Sequence, residues 1–285
     1  MIGVRTGLLE FCMHVFKTLS KLGDEKLRSS EDSFIFTSQA GIRISKRSKN
    51  YIHHPGDLPI NVTKMTNYFP LVSSVISAVF TLLLAYQYSR RKKKHQIIWT
   101  IALSIWFITT LLEFLGNPEV VGWNEPLYKV FYVLTPPMVA LLGVGTLYLL
   151  THRPWGKYFL LYTIGLSIPL FILGLTAPVQ SDYFALGSEI AGEAMPRHVR
   201  ILSPLMTIPG GVALIFGAIY SFWLDRSRKY NLLIALGGFF PFFGGMRARL
   251  GDPTFFYAFE TLGALFLFTG FILSMEYIRK RETKT

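Results

Sequence analysis

Charge is scarce in this chain: of 285 residues only 16% are Asp, Glu, Lys or Arg, while 51% are hydrophobic. A soluble domain typically devotes about a quarter of its residues to charge, so with a mean hydropathy of +0.38 the chain reads as a membrane protein. Cysteine is nearly missing as well. The single Cys12 excludes an intrachain disulfide and a cysteine-based zinc site, and no metal or cofactor is expected. Histidine is lacking inside the apolar runs: His95, His152 and His198 stand in connections or at run ends, which argues against a haem held between two helices. No lysine occurs between Thr254 and Ile278, which argues against a Schiff-base retinal site in the last run. HExxH, GxSxG and Walker A sequences are absent, and Gly143-Val144-Gly145 lies too deep in an apolar run to form a nucleotide loop. The chain is therefore not expected to be an enzyme. Basic residues outnumber acidic ones by 29 to 17, but they sit in short clusters between apolar runs. That pattern excludes nucleic acid and makes the lipid bilayer the expected partner.

What the sequence does contain is length of apolar run. A hydrocarbon core about 30 Å thick needs about 20 helical residues, and seven runs supply them: Phe69–Ser89, Gln96–Leu115, Leu127–Leu150, Tyr158–Ala177, Ile201–Leu224, Tyr230–Met246 and Thr254–Tyr277. Strands of a membrane barrel would alternate and be half as long. The expected fold is all-α and polytopic, with seven transmembrane helices in residues 65–285.

Cytoplasmic loops retain Lys and Arg. After runs one, three, five and seven stand Arg90, Arg91, Lys92, Lys93 and Lys94, then Arg153 and Lys157, then Arg226, Arg228 and Lys229, then Arg279, Lys280, Arg281 and Lys284. The other side holds Lys129, Arg197, Arg200, Arg247 and Arg249 with most of the acids. This distribution predicts N-terminus out and C-terminus in, in a plasma (inner) membrane. Residues 1–64 oppose it, because Arg43, Lys46, Arg47, Lys49 and Lys64 compete for the cytoplasmic side. One resolution is a true start at Met65. The other is a real extension, basic and disordered in its middle, opened by an interfacial helix whose stripe is Val4, Leu8, Phe11, Val15, Leu19 and Leu22.

An offset of 72 residues aligns the chain with itself: Thr135 with Thr207, Pro137 with Pro209, Gly145 with Gly217, Tyr148 with Tyr220, Lys157 with Lys229, Tyr158 with Tyr230, Gly165 with Gly237 and Pro169 with Pro241, among others. Helices 3–4 are thus expected to recur as helices 5–6, in the same orientation. Pro137, Pro169, Pro209 and Pro241 are expected to kink the outer halves of their helices, opening an outward-facing polar cavity or merely shaping the packing.

Ionisable residues in hydrocarbon are costly, which makes them the default functional candidates. Glu260 stands about seven residues, or roughly 10 Å at helical rise, into the last run, Glu113 near the outer end of the second, and Lys129 near the outer start of the third. Arg247, Arg249 and Asp252 crowd the connection before the seventh run. Together they are the candidate outer polar site, with an arginine to bind an anion and Glu260 to take up a proton. The alternative is structural ion pairs and snorkelling side chains. Trp123, Trp155 and Trp223, at run ends, are expected as interfacial anchors.

The segment Gly143 to Leu150, with Pro209-Gly210-Gly211 and Gly217 to Ser221, resembles a group of uncharacterised seven-span bacterial membrane proteins over about Met65–Tyr277. The resemblance implies the seven-span fold and a start near Met65, and carries no activity or site residues. Two function classes remain. One is a small-solute transporter; the other is a receptor for a small-molecule ligand, or a non-catalytic subunit that works with a membrane protein partner or as a homo-oligomer.

Overall fold

The computed structural model describes residues 67–150, 154–180, 184, 192, 194–249 and 255–282. Contacts divide the chain after Thr63, and every described residue belongs to the second unit, Lys64–Thr285. The N-terminal extension and the alternative start at Met65 lie outside the described residues.

Seven long helices carry this unit: α1 (Phe69–Arg91), α2 (Lys94–Leu115), α3 (Glu125–Leu150), α4 (Trp155–Thr176), α5 (Leu202–Leu224, preceded by one turn, Arg197–Arg200), α6 (Tyr230–Arg249) and α7 (Phe256–Glu282). Six of them are long and apolar enough to cross a bilayer, so the chain is an integral, multi-pass membrane protein. The exception is α6. Its apolar stretch is diluted by Gly237, Gly238, Gly244, Gly245 and Pro241, by Asn231 at its start and by Arg247 and Arg249 at its end.

Local signals set the helix ends. The Asn67 side chain accepts from the Phe69 N–H at 3.1 Å, and Pro70 occupies the first turn of α1, where its missing N–H costs nothing. Lys92 stops α1 in the left-handed region at φ 46°, and the Gln96 side-chain Oε1 then accepts from the Lys93 N–H at 3.3 Å to start α2. Between α2 and α3, Gly122 at φ +80° takes a conformation that other residues rarely adopt.

Neighbour packing runs α1 to α2, α2 to α3, α3 to α5, α5 to α6, α6 to α7 and α7 back to α1. Six helices therefore close a ring, and α4 stands outside it, against α3 and the flank of α5. Glycine fixes two of these seams. At the α3–α5 crossing a Cβ on Gly143 would stand 2.5 Å from the Gly210 carbonyl oxygen, and one on Gly210 would stand 2.7 Å from the Ala140 Cα, so backbone lies on backbone. At α6–α7, a Cβ on Gly263 would overlap the Pro241 ring.

The first and last helices run parallel. Thr261 donates its hydroxyl to the Phe69 carbonyl at 2.9 Å, and farther along Phe80 packs on Phe268 and Phe271. The Asn117 amide donates to the Asn67 carbonyl at 3.2 Å, so α2 ends where α1 and α7 begin. At the opposite end the Ser227 and Tyr277 hydroxyls meet at 2.6 Å, joining the α5–α6 turn to α7. That is the end of Arg90–Lys94, Lys157 and Arg226–Lys229.

The four prolines lie inside continuous helices, and Pro137 falls near the middle of α3. Pro209 cannot donate to the Leu205 carbonyl; Tyr162 of α4 donates its hydroxyl there at 2.6 Å.

Candidate functional site

Three ring helices present stripes with alternating spacings of four and three, the pattern that keeps one helix face toward a common axis. On α1 the stripe is Ser73, Ser77, Phe80 and Leu84; on α2 it is Trp99, Leu103, Trp106, Thr110 and Glu113; on α7 it is Glu260, Ala264, Leu267 and Phe271. All of these residues are buried. Phe80, Trp99, Leu103, Leu267 and Phe271 line a cavity with Leu142 of α3, Leu214 of α5 and Ile234 of α6. One or two residues from each of the six ring helices thus meet on the axis. The cavity is apolar throughout and has room for about one water molecule.

Along the same stripes, toward the end where α1 and α7 begin, the axis turns polar. Glu113 is 2% exposed and Glu260 7%, and their carboxyl groups lie beside each other. The second oxygen, Oε2, of each glutamate is buried without a hydrogen-bond partner among the described residues. Trp106 places its indole N–H beside the Glu260 carboxyl, short of full hydrogen-bond geometry. Ser73 Oγ is likewise buried and unpartnered.

Three elements hold the pair in place. Glu113 stands two residues before the end of α2, and one turn on, Asn117 ties α2 to the start of α1. Glu260 stands four residues into α7 and is followed by Thr261, which ties α7 to the same first turn of α1. The N-termini of α1 and α7 both lie at this end, and their N–H dipoles favour negative charge. Other hydroxyls near the pair turn back on their own helices: Ser77 donates to the Ser73 carbonyl at 2.8 Å and Thr110 to the Trp106 carbonyl at 2.9 Å.

The remaining candidates divide. Glu260 lies shallower than the seven residues expected from the run, because α7 begins at Phe256 rather than Thr254. Lys129 pairs with Glu125 one turn earlier on α3, Nζ to Oε1 2.6 Å, as a local i,i+4 ion pair. Arg247 is in the last turn of α6, half-buried. The Arg249 side chain and Asp252 lie outside the described residues. Trp155 and Trp223 are exposed at the basic end, as anchors would be. Trp123 instead packs edge-on to Tyr128 at 5.7 Å between ring centroids and covers Gly116, where a Cβ would overlap its ring.

Trp106, Ser73 and Ser77 were not singled out from the sequence. The signal was there: Trp99, Leu103, Trp106, Thr110 and Glu113 form one seam, and a carboxylate at the end of a seam of large apolar residues faces the protein, not the lipid. No protein-family model matches the chain, and no curated protein and no solved structure matches it.

Proposed function

We propose that this protein is a proton-coupled transporter of a small solute, working through the Glu113–Glu260 pair. The observation that carries this reading is the meeting, on the axis of the helix ring, of two buried carboxyls from helices far apart in sequence. An intramembrane carboxyl pair is costly as mere structure. As a coupling site it has two states: proton bound, with the carboxyls in contact, and proton lost, with two like charges driven apart. The second state loosens the ring where α2 and α7 face each other, which is the motion that alternating access requires.

In this reading α6 is a seventh span, since it connects the basic end of α5 to the opposite end of α7. The basic end is cytoplasmic, the N-terminus of the bundle lies outside a plasma membrane, and the α3–α4 hairpin is the ancestral partner of α5–α6. The chain has no catalytic role.

The test is proteoliposome uptake of a panel of small solutes under an imposed pH gradient. Glu260→Gln should abolish pH-dependent uptake while leaving the protein monodisperse and inserted; undiminished uptake would sink the proposal. A second reading, a membrane-partner subunit, draws on α4, of whose apolar window only 17% is buried. A crosslinked partner on α4 in native membranes would favour it.

A further inference from the structure

We infer that the solute is a lipophilic organic cation, bound with its charge at the Glu113–Glu260 pair and its apolar body along the aromatic stripe below it. The inference rests on the transport reading and adds the substrate class.

Charge comes first. The buried ionised-type side chains among the described residues are Glu113 and Glu260, and no Lys or Arg is buried there. The positive partner of the carboxyls must therefore arrive from outside, as a proton or as a ligand. An anion would meet two carboxyls and no cation.

The kind of cation follows from what adjoins the pair. Hard metal ions take six or more oxygen ligands, whereas no group of three or more His, Cys, Asp or Glu is brought together among the described residues. What adjoins the carboxyls is aromatic. Trp106 is beside Glu260, and the stripes continue to Trp99, Phe80 and Phe271 around the axial cavity. From Glu260 to Leu267 is seven residues, roughly 10 Å at helical rise, and from Glu113 to Leu103 ten residues, roughly 15 Å. That is the length of a cation with ring substituents, and aromatic faces bind such cations well when water is excluded. The unpartnered Oε2 atoms of both glutamates are the acceptors left for it.

The exchange balances. The pair with its shared proton carries one negative charge. A monovalent cation enters as the proton leaves, so one positive charge replaces another. With room for about one water in the closed ring, the cation enters as the carboxyl contact breaks.

The experiment uses the full chain in nanodiscs, with tetraphenylphosphonium and ethidium as probes. Binding is read by isothermal titration and by quenching of Trp106 and Trp99 fluorescence. Proton release is read with an indicator dye in weak buffer. Saturable binding with about one proton released per cation is expected, weakening at least tenfold from about pH 8 to about pH 5 as protons compete for the pair. Glu113→Gln and Glu260→Gln should each weaken binding at least tenfold and lose the proton release. Where a glutamine variant does not fold, the wild-type pH dependence and proton count carry the same decision.

Binding that is absent, indifferent to pH or unchanged in the folded variants overturns the inference. Infrared spectroscopy separates the two levels. A protonated-carboxyl band that disappears in Glu260→Gln, without cation binding, overturns the substrate class and leaves the proton site standing. No such band overturns both.

Discussion

Helices α4 and α6 align with each other at an offset of 72 residues in the sequence, yet they live in different surroundings. Gly165 and Gly237 align, but a Cβ on Gly165 would meet nothing within 4 Å, whereas one on Gly237 would stand 2.5 Å from Leu267 Cγ and 2.6 Å from its backbone nitrogen. Tyr162 aligns with Ile234; the first is exposed and the second buried. The cause is the choice made by the next helix. After α4 the chain returns to pack α5 directly on α3, leaving α4 outside with a single buried line of Gly156, Thr163, Leu170 and Gly174. After α6 the chain adds α7, which covers α6 and closes on α1. Similar local patterns thus give a largely exposed helix in α4 and a ring wall in α6, because burial is decided by neighbours rather than by the helix's own residues.

The largest effect that would break this contrast is steric. Gly237→Ala should cost about 1–3 kcal/mol by overpacking α7, while Gly165→Ala should gain roughly 0.5–1 kcal/mol from helix propensity. Thermal unfolding of the two variants in detergent decides it, and equal shifts would mean that the two helices share one environment. A smaller effect is expected at the tie between α4 and the Leu205 carbonyl left free by Pro209. Tyr162→Phe should cost about 1 kcal/mol through the lost hydroxyl and should raise the protease sensitivity of α4 but not of α6. Uniform protection of both helices in limited proteolysis would contradict this.

The smallest effect concerns the α5–α6 turn. Asp225 accepts from the Ser227 hydroxyl at 2.5 Å and from the Ser227 N–H at 3.1 Å, and Arg228 donates to it at 3.0 Å. The Ser227 hydrogen bonds first, and Arg228 after them, hold this carboxyl below its usual range. A group with a lowered value contributes its ordering above the unfolded carboxylate range and loses it as pH falls through the lowered value. Amide exchange at Ser227 should therefore stay slow from neutral pH into mild acid and quicken only below the ordinary aspartate range. The α3–α4 turn has Arg153 at the corresponding place and should show no such step. Ser227 exchange that tracks only the intrinsic pH dependence would remove the latch.

Much of the architecture could be read from the residues. Each apolar run became a helix, with ends moved by a few residues where capping decided them: α4 starts at Trp155 behind Pro154, and α6 continues to Arg249. Glu113 and Glu260 stood out because charge in an apolar run needs a reason. Their meeting was not legible, since hydropathy places residues in depth and says little about which helices adjoin. Lys129 looked like part of the same site for that reason; its partner is Glu125, one turn away on its own helix. The axial seams were legible in principle, through the alternating spacing of Trp99, Leu103, Trp106, Thr110 and Glu113, but continuous apolarity around each helix obscures a seam until a neighbour marks its inner side.

The ring is closed by α1 and α7, the first and last of the seven long helices among the described residues. Glu113 is made roughly half a chain before Glu260, so during that interval its carboxyl lacks the neighbour it has in the closed ring. Delivery of α7 supplies the partner, the Thr261 tie to Phe69 and the last wall in a single step.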